Sequence, residues 1–234
     1  MVTTLYLIRH GATEGSELKR YSGSRDVPLS EKGIEQVKKA SLLIMEHLAS
    51  SPSSMNAGYL RDIHGSSDDS AEANSGLQNF RTSGLRAVYC SDLTRAVRSA
   101  EIIAEPHGLI PIQLPALRER SFGIWEGMTF SEIKEKYPVE FESWAGNPLE
   151  YSPMGGESTI MVKERVIPEL DGIVKNHGDE EVAIVAHGGI NRIVLCHILG
   201  IPLENIFRIE QDYAAVNIIE FWDRYPVVKL INGK

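Results

Sequence analysis

The chain has 234 residues, 42% of them apolar, and carries a formal charge of −8. That apolar content is enough for one α/β core, so a single domain over 1–234 is expected, and without a long basic run the acidity argues against nucleic acid or an anionic membrane surface as a partner. Two cysteines, Cys90 and Cys196, are too few for a disulfide framework, and no apolar stretch has the length of a membrane span or the flank of a signal peptide, so buried thiols in a cytoplasmic protein are expected.

Residues 3 to 8 contain Leu5-Tyr6-Leu7-Ile8 and read as a short buried strand. Arg9-His10-Gly11 follows at once, placing a cation and an imidazole where strand gives way to loop, the position at which α/β folds bind ligands. The stretch from Gly11 to Leu29 holds Gly11, Gly15, Gly23 and Pro28 and is irregular enough to wrap a ligand above the strand end. Ser30, followed by Glu31-Lys32-Gly33, starts a helix running to about His47. From about 50 to 83 Ser, Asn, Gly and Asp dominate and helical periodicity fades, which marks a polar insertion with no catalytic role expected.

A second strand, Ala87-Val88-Tyr89-Cys90, meets Ser91-Asp92, which is expected to cap a helix ending near Glu105, before Pro106-His107-Gly108. Arg95 then falls about one turn into that helix. Thr129-Phe130-Ser131-Glu132 has the spacing of a capping box and starts a helix ending near Tyr137-Pro138. Gly155-Gly156-Glu157-Ser158 reads as a turn and helix start, with Glu157 in the favourable first turn and the helix continuing to about Asn176. The apolar run 182–186 ends on His187-Gly188, so a second imidazole is expected to meet the first across one sheet edge. A helix over 190–199 and two β-rich runs, 216–221 and 227–231, complete the chain. Those last runs are expected to pair antiparallel across Asp223-Arg224-Tyr225-Pro226.

Strand and helix alternating in this way predict an α/β three-layer sandwich, a largely parallel central sheet flanked by helices. Its strand ends bring together Arg9, His10, Arg95 and His187. Arginine forks bind phosphoryl oxygens bidentately, and an imidazole can attack phosphorus or donate a hydrogen bond to it. Each histidine alone has a duller reading as a structural residue or a metal ligand. A metal site would want three or four His, Cys or carboxylate ligands and few arginines, and Arg9 beside His10 would repel the cation, so no metal and no cofactor are expected.

Five segments in order, Leu7-Ile8-Arg9-His10-Gly11-Ala12-Thr13, Cys90-Ser91-Asp92-Leu93-Thr94-Arg95-Ala96, Leu117-Arg118-Glu119 with Phe122-Gly123-Ile124-Trp125-Glu126-Gly127, Gly155-Gly156-Glu157-Ser158 and Val185-Ala186-His187-Gly188-Gly189, resemble the motifs of the histidine phosphatase superfamily, with its phosphoglycerate mutase-like fold. The resemblance covers nearly the whole chain except the insertion. It implies that His10 is a nucleophile forming a phosphohistidine, that Arg9, Arg95 and His187 hold the phosphoryl oxygens, and that Glu119 is the general acid and then the general base. Acting first as an acid calls for a raised pKa at Glu119, and Glu126 is the rival carboxylate. His10 must be neutral to attack, which the neighbouring arginines favour.

By the same resemblance Ser22, Gly23 and Gly188 contact phosphate or substrate. Ser16 stands where many relatives have asparagine, which reaches the phosphate or orients the nucleophile. Arg192, Asn191, Trp125, Tyr137 and Trp144 are candidates for the rim or the leaving-group side, with helix start or core packing as the alternative for each.

Only Met128 to Met154 separates Gly127 from Gly155, shorter than the insertion that encloses a bisphosphorylated cofactor in the related mutases, so hydrolysis of a small phosphate monoester is expected. Arg20-Tyr21-Ser22-Gly23 and Asp26-Val27-Pro28-Leu29-Ser30, with the acid and Gly-Gly-Glu-Ser segments, are most similar to α-ribazole 5'-phosphate phosphatases of cobalamin biosynthesis, which implies that substrate. A broad-specificity phosphatase, a phosphoglycerate mutase and a phospho-ligand or partner-binding protein are the alternatives. The oligomeric state is open, a homodimer included.

Overall fold

Alternation of side chains along the first strand fixes the layers of the molecule. The computed structural model describes residues 2–14, 16, 20–50, 84–223 and 225–234; the segment set apart above as an insertion, Ser50 excepted, lies outside them, as does Arg224. Strand β1 (Thr3–Arg9) turns Leu5 and Leu7 to one face and Tyr6 and Ile8 to the other, and all four are fully buried. A strand covered on both faces has no reason to alternate polar and apolar residues, which is why its sequence is one apolar run.

The sheet is completed by β2 (Ala87–Cys90), β3 (Ile112–Gln113), β4 (Glu181–Ala186), β5 (Val216–Phe221) and β6 (Pro226–Gly233), in the order β3-β2-β4-β1-β5-β6. The first four in that order run parallel. Strand β5 joins β1 antiparallel and forms the expected hairpin with β6. The sheet is thus mixed, with its parallel part at the site.

The face carrying Leu5 and Leu7 packs against α5 (Thr159–Asn176) and α6 (Gly188–Leu199) through Val162, Val166, Leu170 and Ile190. The face carrying Tyr6 and Ile8 packs against α1 (Glu31–Ser50) and α2 (Thr94–Ala104) through Val37, Ile44, Ala100 and Ile103. Each helix presents its apolar stripe to the sheet, as the three-layer arrangement requires. A third cluster, built on Trp125, Ile133 and Phe141, holds α3 (Phe130–Lys136) and α4 (Pro138–Gly146) together. Cys90 and Cys196 are free and buried. Among the described residues no helix is long and apolar enough to cross a membrane.

Local details differ from the sequence reading. The N-cap of α2 is Leu93 with no side-chain cap, so the expected Ser91-Asp92 cap is not formed. Asp92 is drawn away into a fork–fork pair with Arg118, both bonds 2.6 Å, and Asp26 from the distant loop accepts from the Thr94 N–H and hydroxyl instead. Arg95 consequently sits in the first turn of α2. The capping box at Thr129 is present, but Pro138, read as a stop, also opens α4 as its first residue, where its missing N–H costs nothing. Glu157 lies before the Ser158 cap, outside the helix, because its carboxylate is taken by Arg165 and the Ser121 N–H. Strand β3 was not anticipated; its two residues are exposed and pair only with β2.

Candidate active site

Parallel pairing sets Ile8 against Val185 and Arg9 against Ala186, so the next residues, His10 and His187, leave the sheet side by side. The His10 N–H continues the ladder to the Ala186 carbonyl at 3.0 Å. The two rings meet with centroids 5.0 Å apart.

His10 Nδ1 lies 2.7 Å from the Gly11 carbonyl oxygen. A carbonyl only accepts, so Nδ1 carries the proton and Nε2 is left with a lone pair. The ring is 6% exposed. Burial holds its pKa well below the ordinary range, and the Arg95 and Arg9 charges push the same way against the Gly11 hydrogen bond. His187 is fully buried at the N-cap of α6, and burial, then His10 and the two arginines, lower its pKa likewise. Neither of its ring nitrogens has a hydrogen-bond partner among the described residues. Buried polar atoms left unpaired at this point call for a ligand.

Arg9 is gripped twice. Its Nη1 donates to the Gln211 carbonyl at 2.6 Å, and the Tyr213 ring centroid lies 3.8 Å from its Cζ. Its Nε is buried without a partner among the described residues. Arg95, 2% exposed, reaches from α2 into the 20–26 loop and donates to the Gly23 and Arg25 carbonyls at 2.6 and 2.7 Å. Gly23 adopts φ +40°, and a Cβ there would fall 2.5 Å from Glu126 Oε1. Glycine is therefore required where the loop crosses the acid segment.

Glu119 is fastened through both oxygens: Oε2 accepts from the Gly189 N–H and Oε1 from the Arg120 N–H, each 3.0 Å. Gly188 packs against Arg9, with its would-be Cβ 3.3 Å from the guanidinium carbon. Glu126 does not line the cavity. Its Oε1 accepts from the Ser24 N–H and hydroxyl at 2.8 and 2.6 Å, a latch between the loop and the acid segment, which leaves Glu119 as the carboxylate of the lining among the described residues.

These groups open on a cavity of about 240 Å³. Arg9, His10, Ser22, Gly23, Arg95, Glu119 and Gly188 line it, and the His187 ring, next to that of His10, is not part of the lining. Ser16 does not line it; its N–H donates to the Thr13 carbonyl in a turn. The cavity's far wall is aromatic, formed by Phe122, Trp125, Phe130, Phe141 and Trp144. Tyr137 stays in the third core cluster instead. Arg192 reaches the rim and donates to the Ile209 carbonyl at 2.7 Å, and Asn191 is buried in the core.

Sequence reasoning missed Arg20, Arg120, Phe207 and Tyr213, all in the lining. Adjacency to Glu119 could have flagged Arg120, whose guanidinium braces the Glu157 and Tyr151 carbonyls. Tyr213 has no local signal, since it sits in an irregular turn before β5. Among the described residues no group of three or more His, Cys, Asp or Glu side chains gathers where a metal could be held.

A family model described as the histidine phosphatase superfamily (branch 1) matches residues 5–54 and 62–234. The chain is 30% identical to phosphoserine phosphatase 1 of Hydrogenobacter thermophilus, over 97% of its own length and 91% of that protein's. It is 23% identical to the adenosylcobalamin/alpha-ribazole phosphatase of Escherichia coli, over 98% and 96%. Among solved structures, Bacillus stearothermophilus YhfR aligns with a TM-score of 0.76 at 27% identity, covering 99% of this chain and 98% of that one.

Proposed function

The chain belongs to the histidine phosphatase superfamily, branch 1, and from that premise we propose that this phosphatase hydrolyses phosphate monoesters in two displacements through a phosphohistidine at Nε2 of His10. The observation that carries the reading is the His10–Gly11 hydrogen bond. It leaves an unprotonated Nε2 on a residue that lines the cavity together with Arg9, Arg95 and Glu119.

In the first displacement the Nε2 lone pair attacks phosphorus, the P–O ester bond breaks, and the departing oxygen takes the proton of Glu119 in its carboxylic acid form. Arg9 and Arg95 neutralise the equatorial oxygens, and a ring nitrogen of His187 donates to one of them. In the second displacement Glu119 takes a proton from water, the water oxygen attacks phosphorus, and the P–N bond breaks to release inorganic phosphate. His10 returns to its neutral tautomer. Ser22, Gly23 and Gly188 bound the phosphoryl end.

For the leaving group, the wall of Phe122, Trp125, Phe130, Phe141 and Trp144 supports an alcohol bearing a flat, weakly polar ring system. α-Ribazole 5'-phosphate is the substrate of choice on that ground, and the name of the Escherichia coli relative agrees. Phosphoserine is the second reading, supported by the name of the Hydrogenobacter relative. A phosphoserine amino group would want an unpaired carboxylate, and among the described residues the one carboxylate in the lining is Glu119.

Steady-state hydrolysis of α-ribazole 5'-phosphate, phosphoserine, 3-phosphoglycerate and p-nitrophenyl phosphate, with EDTA present, tests the assignment. A kcat/KM preference of about a hundredfold for α-ribazole phosphate, about 2.7 kcal/mol of transition-state stabilisation, is the expected result. Similar values across the panel mean a broad-specificity enzyme. Isomerisation of phosphoglycerate dependent on a bisphosphate would mean a mutase, and binding without turnover a phospho-ligand-binding protein.

A further inference from the structure

Two side-chain amides that touch no part of the cavity hold both the backbone that launches Arg9 and the carbonyl that receives it. Gln211 and Asn217 are fully buried and face each other in a reciprocal pair: Gln211 Nε2 donates to Asn217 Oδ1, and Asn217 Nδ2 donates to Gln211 Oε1, each at 2.9 Å. Backbone partners fix the orientation of both amides. Gln211 Nε2 also donates to the Glu210 carbonyl, Asn217 Nδ2 to the Leu7 carbonyl, and Asn217 Oδ1 accepts from the Asn232 N–H.

The pair thus ties three pieces of chain together. Leu7 lies two residues before Arg9 on β1, Gln211 carries the carbonyl that takes Arg9 Nη1, and Asn232 sits where the β5–β6 register shifts. The residues between the pair include Tyr213, which covers the Arg9 guanidinium, and Ala214, held at φ +58° with its N–H on the His10 carbonyl. Asn232 closes a second reciprocal contact with Asp212, at 2.7 and 2.9 Å. A segment with no helix or strand of its own is therefore held by side-chain amides together with backbone bonds to His10 and Arg9.

We infer that the Gln211–Asn217 amide pair is a positioning device for Arg9, setting where its guanidinium meets the phosphoryl group. The inference rests on the reading that Arg9 binds that group. Unmaking the pair leaves buried amide groups unsatisfied and frees the 211–213 segment, and Arg9 then loses its fixed carbonyl and its ring cover.

The test is a double-mutant cycle between the pair and Arg9. Asn217→Leu is measured alone and with Arg9→Lys for kcat/KM on p-nitrophenyl phosphate, for inorganic phosphate affinity by calorimetry, and for Tm. Acting through Arg9, Asn217→Leu lowers kcat/KM by about 100-fold, the scale of a displacement of order 1 Å at a reacting group. Phosphate affinity falls with it, and in the Arg9→Lys background the further loss is less than about threefold. Equal losses in both backgrounds, or a lowered Tm with unchanged phosphate affinity, would overturn the inference. Gln211→Met, a near-isosteric change that keeps the Gln211 carbonyl, gives the same reading where Asn217→Leu does not fold. Full activity in Arg9→Lys alone would sink the placement of Arg9 at the phosphoryl group, a failure separate from that of the amide pair.

Discussion

The His10 and His187 rings meet edge to face at an interplanar angle of 65°, and His187 is sealed from solvent with both nitrogens unpartnered among the described residues. Burial first, and then the neighbouring charges of Arg9 and Arg95, hold both rings well below the ordinary imidazole range. The free site at neutral pH is therefore a neutral pair of rings beside two guanidinium groups, ready for an anion.

Acid stability follows from that pair. In the unfolded chain each ring takes up a proton as pH falls through about 6.5, whereas burial keeps both folded rings neutral well below that value. The unfolded state binds more protons in the window just below 6.5, so the stability is full above it and falls with pH, by up to about 1.4 kcal/mol per pH unit for each ring. Thermal melts from about pH 5 to about pH 8 check this. The native chain loses Tm on acidification, and His187→Asn loses it less steeply.

Glu119→Gln separates the two displacements. A p-nitrophenolate leaving group needs no proton, so phosphorylation of His10 continues, while the water-activating step slows by about 10²–10⁴-fold. Stopped-flow absorbance is expected to show a burst of nitrophenolate near one equivalent followed by slow turnover. An equal slowing of both phases would remove Glu119 from its role as base.

Gly189→Ala acts on the same carboxylate from outside it. The added Cβ would lie 2.5 Å from Glu119 Oε1, so the side chain must give up its place and its bond from the Gly189 N–H. Alanine is otherwise welcome in a helix first turn, so kcat is expected to fall about 10–100-fold with Tm little changed. Unaltered kcat at native Tm would mean that Glu119 has room the geometry denies it.

Phe130→Ala probes the aromatic wall at a residue that is 46% exposed and meets Phe141 and Trp144 edge-on. Removing it takes away apolar surface that a flat leaving group would cover, about 1–2 kcal/mol. KM for α-ribazole phosphate is expected to rise about tenfold, with that for phosphoserine nearly unchanged. A uniform rise across esters would contradict a ring-binding wall.

Much of the site could be read from sequence because its parts sit at the ends of apolar runs. His10 follows β1 and His187 follows β4, and parallel pairing of two such strands leaves their next residues adjacent. Arg95 was found through the helix after β2, although the cap that starts this helix comes from Asp26 in another segment, which no local pattern announces. Strand β3 escaped because two exposed residues carry no periodicity, and α4 because Pro138 signals an end and a beginning alike. The grip on Arg9 by Gln211 and Tyr213 spans about two hundred positions, and a contact at that separation leaves no trace in a window of sequence.

Both neighbours of β1 in the sheet come from the last quarter of the chain, β4 at 181–186 and β5 at 216–221. Closing loops of that length precedes any gain from the contacts they permit, which slows folding of such topologies. Helices α1 and α2 can form early, yet Arg9 has no carbonyl to rest on until the final hairpin docks. Refolding should therefore recover phosphate binding only with its slowest phase, because the groove for the anion is the last piece of the molecule to exist.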